Sequence, residues 1–209
     1  MASVPDEDTL SGWVSDERLG RYRAAGVDVC GLYLWNAELS AACFQLIGHV
    51  EVLLRSAMHT QLARHSPDGR WYVDSKYSFQ EPARRSIELA QRRALATGRD
   101  SPGRVVAELS FGFWRFLLTS HYQTTVWPRI APGFTGVLRH ERNRESFEAA
   151  VLRLHDLRNR VAHHEPVFHQ PIREYIADAL FIARHIDERA ARMLAAHSSV
   201  GDVLERRPD

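Results

Sequence analysis

The sequence predicts an all-α fold, in which helices pack side by side as a bundle. Two observations support this fold class: apolar side chains recur at steps of three and four residues along the long segments, and the strict alternation typical of strands is scarce. The chain has 209 residues, of which 44% are hydrophobic and 25% are charged, as in ordinary globular domains. We expect one domain over residues 15–196, between a flexible N-terminal segment (1–14) and a flexible C-terminal tail (197–209).

A short helix and then a long one are expected in the first third of the chain. Ser15, followed by acidic residues, is typical of a helix start, and Gly26 is a suitable stop. From about Leu32 to His65 no proline interrupts the chain, so a long and largely buried helix is expected there, with Gly48 as a weak point. Its apolar positions are Leu39, Cys43, Leu46, Val50, Leu53 and Ala57.

Turn residues and aromatic residues separate this helix from the next one. Residues 66–69 form a turn cluster, and residues 71–79 form an irregular aromatic connector. A helix is expected to begin near Glu81 and Pro82, because proline suits the first helical turn, and to end at Gly98. The residues available for its packing are Ile87, Leu89 and Leu95.

The second half of the chain contains three further helical segments. Residues 105–122 are interpreted as a short helix, a break at Gly112 and a second buried helix, and residues 128–136 are interpreted as a loop. Residues 143–164 carry the most regular apolar pattern, at Phe147, Ala150, Leu154, Leu157 and Val161. This pattern predicts an amphipathic helix that Pro166 ends near His164. A last helix is expected over 172–196.

Composition narrows the class of protein. The net charge is only +1, so any nucleic-acid site must be a local concentration of basic residues. Cys30 and Cys43 are too few for a disulfide framework and are expected to be reduced core residues. No apolar run approaches the roughly 20 residues of a membrane-spanning helix, and the acidic N-terminus does not resemble a secretory signal. We therefore expect a cytoplasmic protein with no membrane partner.

Several histidines lie close enough in sequence to be considered as metal ligands. They are His155, His163, His164 and His169. Neighbouring positions on one helix do not converge on a single ion, and neither H-E-x-x-H nor a cysteine cluster accompanies them. We expect no metal and no other cofactor.

The most informative stretch, HDLRNRVAHHEP, ends the amphipathic helix. Arginine presents a planar donor fork suited to phosphate, and histidine exchanges protons near neutral pH. At about 100° per residue, Asp156, Asn159 and His163 lie opposite the apolar stripe. Arg158 lies at its flank and His164 lies near its edge. The geometry favours His163 as the reactive histidine and His164 as a packing or orienting residue, although simple solvation of an outer helix face explains the same pattern.

This stretch resembles a known family. Arg158, Asn159 and His163 match the R-N-x-x-x-H form of the motif of the HEPN superfamily, and the residues around them, up to Phe168, resemble the Abi-like family of abortive-infection proteins, of the AbiD/AbiF type. The segments 34–39 and 49–55, on the expected long helix, and the segment 105–114 are similar to the same family.

The resemblance implies a HEPN-like antiparallel helical bundle with additional helices. Such bundles are commonly homodimers, in which the motif helices of two subunits face each other and form one composite RNA-cleaving cleft. Glu51 and Arg55 are an i, i+4 pair, which on its own is a surface ion pair contributing about 0.3 to 0.5 kcal/mol. The resemblance implies instead that their helix packs beside the motif helix. Glu51, Arg55, Asp156 and His164 are therefore secondary site candidates.

The resemblance also implies an activity, namely metal-independent cleavage of RNA by a toxin-like effector of prokaryotic anti-phage defence. RNA supplies its own nucleophile, the 2′-hydroxyl, so the protein need only align it, move protons and stabilise charge. His163 would act as general base or acid, Arg158 would hold the phosphate oxygens, and Asn159 would orient either group. An antitoxin or another regulatory partner fits this class. A non-catalytic HEPN module that binds RNA or protein, and a structural dimerisation protein, remain open alternatives.

Overall fold

The computed structural model describes residues 5–66, 68–96, 98, 101–134 and 141–209, and every regular element in these ranges is helical. The prediction of an all-α fold is confirmed. The α-helices are α1 (Glu7–Trp13), α2 (Asp16–Arg23), α3 (Val29–Arg64), α4 (Glu81–Ala96), α5 (Pro102–Glu108), α6 (Phe111–Phe116), α7 (Trp127–Ile130), α8 (Glu141–Ala162), α9 (Ile172–Ile186), α10 (Glu188–His197) and α11 (Val200–Glu205).

The long helix α3 organises the core. Asp28 caps its start by accepting the backbone N–H of Cys30 at 3.1 Å. The helix packs against α1, α2, α6, α7, α8, α9 and α11, so its apolar side chains form the centre of the bundle. The long helix predicted from the absence of proline is confirmed, with Gly48 inside it. Cys30 and Cys43 are buried and unbonded as predicted, and burial raises the pKa of the Cys43 thiol to about 12.

The prediction that no apolar segment approaches the length of a membrane-spanning helix does not hold for α3. By length and apolar composition α3 is sufficient to cross a membrane, and it is the one helix of this kind in the ranges that the structure describes. The core helix of a globular protein meets the same test. In this fold α3 carries several fully buried residues, among them Leu39, Val50 and Met58, and packs on seven other helices.

Two helix boundaries differ from those that apolar periodicity predicted, because capping side chains set them. The break expected at Gly112 lies at Ser110, because the Ser110 hydroxyl accepts the backbone N–H of Phe113 at 3.3 Å and starts α6. The single last helix expected over 172–196 is two helices, α9 and α10. Asp187 between them has an extended backbone, and its carboxylate caps α10.

Both ends of the chain contain helices where flexible segments were expected. At the N-terminal end, α1 buries Leu10 in the core. At the other end, α11 lies within 197–209 and packs on α3, with Val200 and Val203 buried. The indole N–H of Trp35 donates to the Val203 carbonyl at 2.7 Å. The folded unit therefore extends beyond both of the expected boundaries.

The aromatic connector folds as two 3₁₀ turns between α3 and α4. Trp71 is fully buried there, and its indole N–H donates to Nδ1 of His59 on α3 at 2.9 Å. Helix α4 buries Ile87 as predicted, but Leu89 and Leu95 are 41% and 59% exposed. The helix packs instead through small residues, which are Ala83, Ala90 and Ala94.

Two segments predicted as turns or loops extend past the described residues. The turn cluster at 66–69 is present, and Pro67 within it lies outside the described residues. The segment 128–136, interpreted as a loop, contains most of α7 and a 3₁₀ turn up to residue 134, and its last two residues lie outside the described ranges.

Candidate functional site

The end of α8 is a Schellman motif, which fixes the motif residues in space. The N–H of His164 donates to the Val161 carbonyl at 3.0 Å, and the N–H of Glu165 donates to the Arg160 carbonyl at 2.8 Å. His164 has φ of 56°, the left-handed region that glycine usually occupies at this position. The predicted end of the helix near His164 is confirmed. The His164 side chain is exposed, however, and does not pack at the edge of the apolar stripe as expected.

The apolar stripe of α8 faces the core as predicted, with Phe147, Ala150, Leu154, Leu157 and Val161 all buried. The helix packs against α3, α6 and α9. On its flank, the guanidinium of Arg153 donates two hydrogen bonds, of 2.7 and 2.6 Å, to the Asp178 carboxylate of α9. This bidentate pair fixes the rotation of α8 and therefore the direction in which its polar residues point.

Three polar side chains of α8, His155, Arg158 and Asn159, lie together where α8 passes α3 and α6, and the charge of Arg158 acts on Glu51 of α3; we call these four residues the polar cluster. Nη1 of Arg158 donates to Oδ1 of Asn159 at 3.4 Å, and Nδ2 of Asn159 lies 3.5 Å from Nδ1 of His155. The His155 ring packs edge-on against Phe111, with 5.8 Å between the ring centroids. The motif side chains are thus linked to one another and to the start of α6.

His155 has an electrostatic environment that favours the neutral imidazole. Burial lowers its pKa, the charge of Arg115 lowers it further, and Asp156 acts in the opposite direction. A neutral ring can accept a hydrogen bond from the Asn159 amide. Sequence reasoning considered His155 only as a metal ligand, although its i, i+4 spacing from Asn159 is the signal that would have placed it in the polar cluster. Across the described ranges, no three His, Cys, Asp or Glu side chains are grouped to hold a metal ion.

Glu51 reaches the polar cluster from α3. Burial raises the pKa of its carboxyl group, and the charge of Arg158, followed by that of Arg55, lowers it. The stronger charged neighbour of Glu51 is therefore the motif arginine rather than its i, i+4 partner. Helix α3 packs beside α8, as the resemblance implied, and places a carboxylate near Arg158.

A cleft of about 580 Å³ opens between α2, α3 and the end of α8. Arg158 and His164 line it from α8, and Arg18 lines it from α2. Nη2 of Arg18 donates to the His164 carbonyl at 2.6 Å, which joins α2 to the end of α8. Its aromatic lining residues are Tyr22, Tyr33 and Phe44. In the described part of the chain no acidic side chain lines the cleft, so its charge is positive.

The remaining wall of the cleft is held by a buried amide. Asn36 is 6% exposed, and its Oδ1 accepts the backbone N–H groups of Val167 at 2.8 Å and Phe168 at 3.0 Å. The ring of Phe168 in turn packs 5.2 Å from that of Tyr22. The segment that follows α8 is therefore anchored to α3 and α2 beside the cleft.

The structure brings Arg158 and His164, but not His163, to the cleft. His163 is exposed, and five helical steps from Arg158 turn it by about 140°. Asn159 was expected beside His163, but its side chain turns toward His155, and only the backbone bond from the His163 N–H, at 2.9 Å, joins the two. Asp156 is exposed on the outer face, as predicted.

Sequence reasoning missed the residues that α2 and the start of α3 bring to the cleft. Arg18, Tyr22 and Tyr33 carry no motif, and 146 positions separate Arg18 from the carbonyl that it binds. Only the packing of the bundle places these side chains beside Arg158.

Fold and site together define a class of protein: an all-α bundle in which an amphipathic helix ends in R-N-x-x-x-H beside a positively charged cleft. Residues 14–169, more than half of the chain, match the family model described as Abi-like protein. The chain belongs to the Abi-like protein family. Comparison with the curated proteins and with the solved structures gives no match. The matched range contains α2 to α8 and the segment anchored by Asn36, so it includes both the cleft and the polar cluster.

Proposed function

We propose that this chain is a metal-independent endoribonuclease of the HEPN type, which acts in the cytoplasm as a toxin-like effector of prokaryotic anti-phage defence. Membership of the Abi-like family supports a function of the abortive-infection type. The observation that carries the enzymatic part is that the motif residue Arg158 lines a cleft with a positive charge. A guanidinium in such a cleft suits a phosphodiester, whose non-bridging oxygens it can bind in a bidentate manner.

The proposed reaction needs only groups that the chain and RNA provide. The 2′-hydroxyl of the RNA attacks the adjacent phosphorus and loses its proton to a base, the bond from phosphorus to O5′ breaks, and O5′ gains a proton. The products are a 2′,3′-cyclic phosphate and a 5′-hydroxyl. His163 is the proton-transferring group, Arg158 stabilises charge on the phosphate oxygens, and Asn159, which accepts from Arg158, orients the guanidinium.

The complete site belongs to a homodimer in this proposal. Within one chain, Arg158 and His163 point about 140° apart around α8. A twofold axis at the outer face of α8 would bring His163 of one subunit to the partner's Arg158. An effector of this kind also has to be restrained in uninfected cells, so an antitoxin or another regulatory partner is part of the proposal.

The direct test is cleavage of total RNA by the purified protein in the presence of EDTA. We expect the wild-type protein to produce fragments with 2′,3′-cyclic phosphate ends, and the His163→Ala and Arg158→Ala variants to lose at least about 100-fold in rate, the lower range for removal of an acid–base group. Arg173→Ala, which removes an exposed arginine of α9, is the matched control and should cleave normally. Equal cleavage by all four proteins would refute the catalytic assignment.

The alternative function is a non-catalytic HEPN module that binds RNA or a protein. It is favoured by one observation: His163 does not line the cleft that contains Arg158. RNA binding that survives His163→Ala, without strand scission under any condition, would support this alternative.

A further inference from the structure

We propose that the cleft between α2, α3 and α8 is a nucleobase subsite, in which one unstacked nucleotide of a single-stranded RNA is held next to Arg158. This inference rests on the proposed function, because it specifies how the same site would recognise RNA. The volume of about 580 Å³ lies within the range of small-ligand sites and accommodates a base with its ribose.

The cleft offers aromatic surfaces for stacking. Phe44 lines it from α3 and is 52% exposed, so that part of its ring is accessible to a ligand. Tyr33 lies about three helical turns before it on α3 and is braced by Tyr22 of α2, with the two ring centroids 5.5 Å apart. The exposed Phe44 ring therefore provides the stacking platform, and every nucleobase has a face that can use it.

Two polar groups in the walls provide hydrogen bonds for base edges. The Oδ1 of Asn36 accepts the backbone N–H groups of Val167 and Phe168, and within the described residues its Nδ2 has no hydrogen-bond partner. The Tyr22 hydroxyl also has no such partner in these ranges, although the residue is only 1% exposed. Both residues line the cleft, and neither polar atom is sealed inside the core. A carbonyl oxygen or ring nitrogen of a base satisfies such donors.

The charge of the cleft selects an anionic occupant. Arg18 uses one nitrogen on the His164 carbonyl, and the rest of its guanidinium remains available at the rim. Arg158 belongs both to the cleft and to the polar cluster. A phosphate bound by Arg158 therefore places its attached nucleoside in the cleft. Two arginines without an acidic lining residue favour a nucleotide over an apolar helix of a partner protein.

The test measures binding of a short RNA that cannot be cleaved because all its 2′-hydroxyls are methylated, in comparison with an abasic oligonucleotide of the same length. Fluorescence anisotropy should show tighter binding of the base-containing strand by the wild-type protein. Stacking contributes about 1 to 3 kcal/mol per base, so Phe44→Ala should weaken binding of that strand by about 5- to 150-fold and leave the abasic strand unaffected. Val52→Ala, on the same helix and 49% exposed but outside the cleft, is the matched control.

The outcomes separate this inference from the proposed function. Equal binding of both strands by the wild-type protein, or an unchanged preference in Phe44→Ala, would overturn the base subsite while cleavage of total RNA remained intact. Tighter binding of the base-containing strand by a protein that does not cleave RNA would support the nucleobase subsite and refute the proposed ribonuclease activity. If Phe44→Ala instead changes the sedimentation coefficient of the protein, Phe44 is a subunit contact and the subsite is refuted.

Discussion

At the scale of single residues, His164 shows how the chain accepts strain beside its candidate site. The residue has a positive φ of 56° at the position after a helix where glycine is usual. A side chain with a Cβ in this region costs about 1 to 2 kcal/mol. Two Schellman hydrogen bonds and the bond from Arg18 to the His164 carbonyl hold the conformation. The left-handed backbone places the His164 carbonyl where Arg18, another residue of the cleft lining, donates to it.

We expect His164→Gly to stabilise the fold. Relief of the left-handed strain exceeds the added entropy of the unfolded chain, which gives a net gain of about 0.5 to 1 kcal/mol in the free energy of unfolding. Urea denaturation measures the difference. His163→Gly, one residue earlier and without a positive φ, is the control and should lower the free energy of unfolding by a similar amount. A loss of stability in His164→Gly would contradict the strain argument.

At the scale of elements, the aromatic connector is locked to α3 by a titratable group. Nδ1 of His59 accepts the indole N–H of the fully buried Trp71 at 2.9 Å, so this nitrogen must be unprotonated. Burial lowers the pKa of His59 from its ordinary value of 6.5. Because the folded-state pKa is the lower one, the stabilisation is complete above about pH 6.5 and is lost as the pH falls through the folded-state pKa.

The corresponding prediction concerns the stability of His59→Gln as a function of pH. A glutamine oxygen can accept the indole hydrogen bond without titrating, so the variant should lose less stability than the wild-type protein between about pH 7.5 and about pH 5, by about 1 kcal/mol. Urea denaturation at both values measures this difference. Burial also lowers the pKa values of His155 and His169, but both proteins retain these residues, so their contributions cancel. Identical pH dependence in the two proteins would exclude His59 as the source.

The elements that sequence predicted well are those that a single periodic pattern or a clear cap defines. Ser15 caps α2 as expected, and the apolar stripe of α8 faces the core at every predicted position. The prediction failed where a local cap interrupts a continuing pattern, as Asp187 does between α9 and α10. It failed again at α11, whose short helix is stabilised by contact with Trp35 rather than by its own sequence.

The candidate site could be predicted only as far as the motif reaches. R-N-x-x-x-H named Arg158 and Asn159, which lie in the polar cluster, but helical periodicity had placed Asn159 beside His163 rather than His155. The cleft itself was not predictable, because Arg18 and Tyr22 reach it through the packing of α2 against α3 and not through any spacing in the chain. Helical periodicity also could not predict the position of His164, because it assumes a regular helix and His164 has a left-handed backbone.

At the scale of the whole molecule, the net charge is close to zero, while positive charge is concentrated in the cleft. The chain has a net charge of only +1, yet the lining of its cleft includes Arg18 and Arg158 and no acidic residue in the described ranges. The single chain also separates the two motif groups, since Arg158 lies in the cleft and His163 is exposed outside it. In a dimer with a twofold axis, Arg158 of one subunit and His163 of the other would form one composite site.

Complementation between two inactive variants tests this composite site. In a heterodimer of Arg158→Ala and His163→Ala, one of the two sites keeps an intact arginine from one subunit and an intact histidine from the other. Random pairing of equal amounts makes half of the dimers mixed, so co-expression should restore about a quarter of the wild-type rate of RNA cleavage. A double variant that lacks both groups, paired with His163→Ala, supplies no histidine and should stay inactive. If Arg158 and His163 act within one subunit, no mixed dimer contains a complete pair, and the first combination will be as inactive as the control.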